Sequence, residues 1–207
     1  GSSPVLFNAS PTSLSSPEGG EGRGEEAQLF PAQRPSPQPS PRSGGARESE
    51  GGRGLLILTM DGIDFQYLAA LDKHTGKTVW KTDRTANWND LEADGQPRGG
   101  GDFRKAYSTP LVVDYADRKQ MITVGSKAAY SYDPATGKEI WKLNHAGFST
   151  AARPVFDGTN AFIATGNGKG EMLCVRVDGR GDVTDTHIVW RNGRASDAIS
   201  PLIVRPA

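Results

Sequence analysis

The sequence has few of the features that mark membrane, disulfide-bonded or charge-driven proteins. No run approaches the roughly 18–20 apolar residues that a membrane helix needs, so we expect no transmembrane segment. The single cysteine, Cys174, cannot form an internal disulfide and does not indicate a redox compartment. Lys plus Arg equals Asp plus Glu at 24 each, which leaves no net charge to attract nucleic acid or anionic lipid. We therefore expect no nucleic-acid partner.

Apolar residues are also scarce, and most scarce at the amino terminus. They make up 35% of the 207 residues, below the roughly 45–50% (Gly included) of globular chains. Residues 1–54 hold 10 Gly, 8 Pro and 10 Ser, and no Lys, Asp, Trp or Tyr. This composition predicts a disordered low-complexity tail, either a native linker or a non-native translation. It contains no signal-peptide pattern.

Residues 55–207 have a different composition, with 15 Asp, 3 Glu and all of the Trp and Tyr residues. Short apolar or alternating runs are bounded there by Gly, Asp, Asn or Pro. No window keeps a 3.6-residue apolar period, so the pattern indicates an all-β domain of many short strands.

One segment occurs twice without a gap. Ala70–Trp80 superimposes on Ser131–Trp141: in both, an Asp lies three residues before Thr-Gly and eight before a Trp. The pattern is typical of a hairpin whose Asp accepts turn N–H groups, whose Gly takes a positive φ and whose return strand carries the Trp. A third, degenerate copy runs from Asp178 to Trp190 with a loop four residues longer. The repeat positions are Asp72, Gly76, Trp80, Asp133, Gly137, Trp141 and Trp190.

A second landmark sets the period of the repeat. Pro110, Pro154 and Pro201 each open an apolar strand, 44 and 47 residues apart. Such a period fits four-stranded propeller blades. The expected blades cover about 55–83, 105–144 and 150–191, and a further one starts at 198–207. The first blade is expected to lack its Pro-led strand, because the tail precedes it.

The Ala-Leu-Asp-x-x-Thr-Gly-x-x-x-Trp unit resembles the repeat of the PQQ-like (pyrroloquinoline-quinone-type) β-propellers. That superfamily includes the quinoprotein alcohol dehydrogenases and the outer-membrane assembly lipoprotein BamB. The resemblance implies an all-β, partial β-propeller of about three to three and a half blades, and a periplasmic or extracellular bacterial protein. Closed propellers use about 4–8 blades. We therefore expect a fragment of a larger propeller whose remaining blades are missing, as the start at Gly1-Ser2-Ser3 without Met also suggests.

The best candidate site is the long connection Arg84–Ser108, about 25 residues against a median loop of roughly 4–6. In a propeller it lies with the other outer-to-inner strand connections on one face. It supplies a candidate ligand or partner surface; the alternative is a mobile connector between blades. The candidate residues are Trp88, Asp90, Arg98, Asp102, Arg104 and Tyr107.

Other candidate chemistry has a simpler reading. The three repeated tryptophans are expected to pack between blades. His74, His145 and His187 do not cluster in sequence, and Asp178, Asp182 and Asp185 lack the spacing of a calcium loop, so no metal site is expected. No Ser-His-Asp set or carboxylate pair is evident, so no catalytic residue is assigned.

The leading hypothesis is a non-catalytic PQQ-like propeller module that acts as a binding or scaffold surface and needs no cofactor. One alternative is a fragment of a quinoprotein dehydrogenase that uses PQQ and calcium. The resemblance implies adjacent cysteines near the quinone in the characterised alcohol dehydrogenases, and this chain has only Cys174. The other alternative is an accessory propeller of a larger enzyme.

Overall fold

The computed structural model describes residues 4–8, 54–167 and 170–193. These residues form mostly short strands. Runs rich in β-branched and aromatic side chains favour strands, and turns that contain Gly, Asp or Asn separate the runs. A 3₁₀ helix spans Arg98–Arg104. The strands are β1 (Val5–Asn8), β2 (Gly54–Asp61), β3 (Gln66–Asp72), β4 (Thr78–Asp83), β5 (Leu111–Tyr115), β6 (Arg118–Val124), β7 (Ala128–Tyr132), β8 (Glu139–Asn144), β9 (Val155–Phe156), β10 (Asn160–Ala164), β11 (Met172–Arg176), β12 (Gly181–Asp182) and β13 (Ile188–Asn192).

The strands form three antiparallel blades of four strands each. The orders are β1-β2-β3-β4, β5-β6-β7-β8 and β9-β10-β11-β13. The short strand β12 adds to the second blade by pairing in parallel with β8. This arrangement confirms the all-β partial propeller. The predicted start of a fourth blade at 198–207 lies outside the described residues.

The first blade corrects one expectation, because its Pro-led strand is present. Val5–Asn8 pairs antiparallel with β2, from Val5 opposite Ile57 to Asn8 opposite Gly54. Phe7 is buried in the same core as Leu55. Pro4-Val5-Leu6-Phe7 repeats the Pro-led apolar pattern, but the average composition of residues 1–54 hides it. The predicted disorder is therefore wrong for residues 5–8, and residues 9–53 lie outside the described part.

Residues 9–53 interrupt a β-hairpin, and replacing them with Asn-Gly is expected to preserve the fold. Asn8 and Gly54 are already directly paired, and Asn-Gly is the preferred two-residue hairpin turn. Closing a loop of 45 residues costs about 2–3 kcal/mol more than closing a two-residue turn. The shortened chain should unfold at a higher denaturant concentration, with a gain of about 2 kcal/mol. A loss of stability would show that the segment packs on the blades.

Neighbouring blades are locked together where a turn of one meets the tryptophan of the other. The indole N–H of Trp80 donates to the carbonyl of Pro134 at 3.3 Å, and the Thr82 hydroxyl donates to the Gly137 carbonyl at 2.8 Å. Gly137 has a φ of +72°, and a Cβ there would lie 2.5 Å from the Trp80 ring. Only glycine satisfies both the turn and this close approach.

The longer loop of the third copy also joins two neighbouring blades, but through different contacts. Strand β12 pairs with β8, and the Val183 N–H donates to the Lys142 carbonyl at 2.8 Å. The Asn144 side-chain amide donates to the Asp182 carboxylate at 2.9 Å. Val183 and Trp141 are both fully buried in the core between the second and third blades. The longer loop thus attaches the third blade to the second through β12 and Val183, and we call this contact the clasp.

The first and third blades each have one part of this contact that meets no partner among the described residues: the glycine turn of the first blade and the tryptophan of the third. A Cβ built on Gly76, the equivalent of Gly137, would have no neighbour within 4 Å. Trp190, the equivalent of Trp141, is 43% exposed. The sequence repeat therefore places three tryptophans at one blade position, and within the residues that the structure describes a following blade covers Trp80 and Trp141 but not Trp190.

Candidate binding site at the loop end of the blades

The connections between blades meet at one end of the sheets. The connection from β4 to β5 covers residues 84–110 and the connection from β8 to β9 covers residues 145–154. The turn between β6 and β7 lies at the same end, because β8 runs antiparallel to β7. All three segments border a cavity of about 390 Å³. Its lining residues are Trp88, Asn89, Asp90, Arg98, Phe103, Lys127, Ala146 and Phe148.

An ion pair organises one wall of this cavity. The Arg104 guanidinium donates to both carboxylate oxygens of Asp90, at 2.7 and 2.8 Å. The hydrogen bonds from Arg104 hold the pKa of Asp90 below its usual range, against the opposing effect of burial. The Arg104 guanidinium also lies 5.6 Å from the centre of the Trp88 ring. This geometry fixes the ring by a cation–π contact.

The 3₁₀ helix is the centre of the long connection. Gly99, Gly100 and Gly101 all have positive φ values, from 59° to 81°. Gly101 is buried, and a Cβ there would lie 2.8 Å from a methyl group of Ile63. The backbone N–H of Arg98 donates to the Asp90 carbonyl at 2.6 Å, which closes the loop at its base.

Backbone hydrogen bonds fasten the two connections to each other. The Tyr107 N–H donates to the Thr150 carbonyl at 2.7 Å, and the Ser149 N–H donates to the Lys105 carbonyl at 2.9 Å. The rings of Phe103 and Phe148 meet edge to face, with centres 4.9 Å apart. The wall of the cavity is therefore a packed structure rather than a set of separate loops.

Lys127 supplies a cation to the lining of the cavity. Its backbone has a φ of +64°, a conformation that non-glycine residues rarely adopt. The ammonium group donates to the Ala146 carbonyl at 2.6 Å and lies 5.4 Å from the centre of the Phe148 ring. Burial lowers the pKa of Lys127, and the negative charge of Asp90 offsets part of this decrease.

Comparison with known families agrees with the blade architecture. The family model described as outer membrane protein assembly factor BamB, a PQQ-type repeat, matches residues 64–204. The chain belongs to this BamB family. A search of the curated proteins finds no match.

In this BamB-family chain the six candidate residues do not form one site. Trp88, Asp90 and Arg98 line the cavity, and Arg104 contributes through its contacts with two of them. The other two lie elsewhere. Asp102 is exposed and forms an ion pair with Lys105, whereas Tyr107 borders a second cavity beside Ile63 and Phe65.

Five lining residues of this cavity were not singled out from the sequence, and three of them, Phe103, Lys127 and Phe148, supply two of its rings and one of its cations. Phe103 lies in the long connection, but apolar side chains in a Gly-rich loop carry little signal. Lys127 and Phe148 belong to other segments, a tight turn and the next connection. Combining all segments at one end of the predicted blades would have grouped them, because the turn between the second and third strands of a blade lies at the same end as the connections between blades.

The three histidines lie in different environments in the structure. His74 lies in an exposed turn, and its backbone N–H donates to Asp72. His187 lies 3.5 Å from the Asp178 carboxylate. His145 is buried. In residues 4–8, 54–167 and 170–193 no group of three or more His, Cys, Asp or Glu side chains is placed to hold a metal ion. Within the same ranges no helix is long and apolar enough to cross a membrane.

His145 is expected to make the protein sensitive to mild acid. Burial, followed by the nearby Lys127 charge, lowers the pKa of His145 from 6.5 to about 3. Below pH 6.5 the unfolded state therefore binds a proton that the folded state does not. The free energy of unfolding should fall by about 2 kcal/mol between pH 7 and pH 5 because of this group.

Denaturant unfolding at pH 7, 6 and 5 tests this prediction. His145→Leu should flatten the decline over that interval, whereas His74→Gln, at an exposed histidine, should leave it unchanged. The role of His145 would be contradicted by an equal decline in the wild type and in His145→Leu.

Proposed function

We propose that this chain is a non-catalytic PQQ-like propeller module that acts as a binding or scaffold surface in an exported, periplasmic bacterial protein. The cavity at the loop end carries the proposal. Trp88, Phe103 and Phe148 give it an apolar lining, and two cationic side chains, Arg98 and Lys127, border it. Clefts of a few hundred Å³ with an apolar lining and a few polar groups are the usual form of ligand sites.

The state of the acidic group in the cavity favours binding over catalysis. Both oxygens of Asp90 accept hydrogen bonds from Arg104, and its pKa is lowered by those bonds. A carboxylate in this state is a poor proton acceptor near neutral pH, since an effective general base has a pKa near the working pH. The periplasmic location is part of the proposal, and the match to the BamB family supports it.

An assay with quinone and calcium tests the proposal against its rival. The full chain is incubated with PQQ and CaCl₂, then mixed with alcohols or aldose sugars and an artificial electron acceptor. We expect no reduction of the acceptor above the blank. Turnover that requires both quinone and calcium would overturn the proposal in favour of a quinoprotein dehydrogenase. An accessory propeller of a larger enzyme predicts the same null result and is tested only with the parent protein.

A further inference from the structure

We propose that the cavity at the loop end binds a small organic anion, with its carboxylate at Lys127 and Arg98 and its apolar body against the aromatic wall. The wall consists of Trp88, Phe103 and Phe148. This inference rests on the proposed binding function and specifies the ligand class.

The charge balance of the cavity favours an anion. Arg104 and Asp90 neutralise each other through their paired hydrogen bonds. Lys127 and Arg98 form no ion pair with any described residue within salt-bridge distance. Three cations, Arg98, Arg104 and Lys127, thus face one carboxylate, Asp90, and the resulting excess of positive charge attracts a carboxylate ligand. Hydrogen bonds between charged partners are the stronger ones in proteins.

The hydrogen-bonding groups point to the same conclusion. Lys127 has three N–H donors, and one is used by the Ala146 carbonyl. Arg98 has five side-chain donors, and its guanidinium has no hydrogen-bond acceptor among the described residues. The Asp90 carboxylate is already occupied by Arg104. The cavity thus offers donors in excess of acceptors, which suits a ligand that only accepts.

Lys127 is held in an unfavourable backbone conformation, with a φ of +64°. The left-handed region is disfavoured for a non-glycine residue, because its Cβ comes too close to the following carbonyl oxygen. The surrounding hydrogen bonds impose it: the Lys127 N–H donates to the Gly147 carbonyl at 3.0 Å, and its carbonyl accepts from the His145 N–H at 2.9 Å. Strained residues of this kind concentrate at ligand sites.

The aromatic wall is preformed and sets the shape of the ligand. Phe103 and Phe148 are fixed edge to face, and Trp88 is held by the Arg104 guanidinium. Rings fixed in this way lose little conformational entropy when a flat or apolar group covers them. None of the lining residues lies on the inner strands β5 and β9. The site is therefore built from the connections and the turn at the loop end of the blades rather than from the strands themselves.

Benzoate is the probe, because it combines one carboxylate with one apolar ring. Binding to the full chain is measured by calorimetry and by NMR titration at low salt. Benzamide has the same shape without the charge, and acetate has the charge without the ring. Benzoate should bind saturably, and the other two should bind at least about tenfold more weakly, as expected for the loss of one charged hydrogen bond or of the ring contact.

Two variants locate the site. Lys127→Met keeps the side-chain length and backbone conformation but removes the charge, and it should weaken benzoate binding about tenfold or more. Arg98→Gln, at an exposed position, gives an independent test if Lys127→Met does not fold. Lys138→Met is the matched control, because Lys138 is exposed in the turn at the opposite end of the second blade.

The outcomes separate this inference from the proposed function. Absence of benzoate binding, equal binding of benzamide, or equal weakening by Lys127→Met and Lys138→Met would each overturn the anion site. The quinone and calcium assay would be unaffected by any of these results. Conversely, quinone-dependent turnover would overturn the proposed function whether or not benzoate binds.

Discussion

Asp61→Asn is expected to lower the free energy of unfolding by about 3–5 kcal/mol, the usual cost of removing one partner of a buried ion pair. The Arg84 guanidinium donates to both Asp61 oxygens, at 2.9 and 2.7 Å, and the two side chains are only 1% and 3% exposed. The guanidinium also packs 4.8 Å from the centre of the Tyr130 ring and bonds the Thr123 hydroxyl. The neutral amide would leave this buried charge without its counter-ion. Denaturant unfolding of the two proteins, fitted with the same dependence of the free energy on denaturant concentration, measures this difference.

An exposed ion pair in the same fold supplies the control. Lys119 and Asp114 also form an ion pair, but their side chains are 42% and 78% exposed. Asp114→Asn should change stability by less than about 1 kcal/mol. The double variant Asp61→Leu with Arg84→Met should recover much of the loss, because it removes both charges together. Equal effects of Asp61→Asn and Asp114→Asn would show that burial of the Asp61–Arg84 pair does not raise the cost of removing its carboxylate.

The blade architecture could be predicted from the sequence because its signals are local. The Asp72 carboxylate accepts the backbone N–H groups of His74 and Thr75, and Asp133 does the same one blade later. A turn of this kind depends on five or six adjacent residues, so it appears in the sequence as a fixed spacing. The Pro-led strands are equally local. The strand at Val5–Asn8 has the same pattern, but 45 residues separate it from its partner β2.

The candidate site was harder to predict, because it depends on contacts between distant segments. The long connection was identified by its length, and the structure gathers Trp88, Asp90 and Arg104 within it. Lys127 and Phe148 come from other segments and meet the connection only when the blades stack. The pairing of Asp61 with Arg84 is similar: nothing in the local sequence of either residue indicates its partner. Long-range polar contacts of this kind require the register of the blades.

Trp141→Ala is expected to destabilise the protein by about 3–5 kcal/mol, whereas Trp190→Ala at the equivalent position should cost less than about 1 kcal/mol. Trp141 is fully buried beneath the clasp of the third blade, and its removal leaves a large cavity between blades. Trp190 is 43% exposed and contacts Phe162, with ring centres 6.1 Å apart. The two substitutions remove the same side chain from the same point of the repeat. The difference between them therefore measures what coverage by a following blade contributes.

The same pair of variants shows whether a further blade is in place. Unfolding of the 207-residue chain gives the two free energies, and a chain extended after residue 207 by a further blade gives them again. In the longer chain the Trp190→Ala loss should rise toward the Trp141→Ala loss, because a following turn would cover the ring as Pro134 and Gly137 cover Trp80. A large Trp190→Ala loss already in the 207-residue chain would mean that the ring is covered from another source, either the chain beyond residue 193 or a second copy. Measuring the loss at several protein concentrations separates those two cases, since only association depends on concentration.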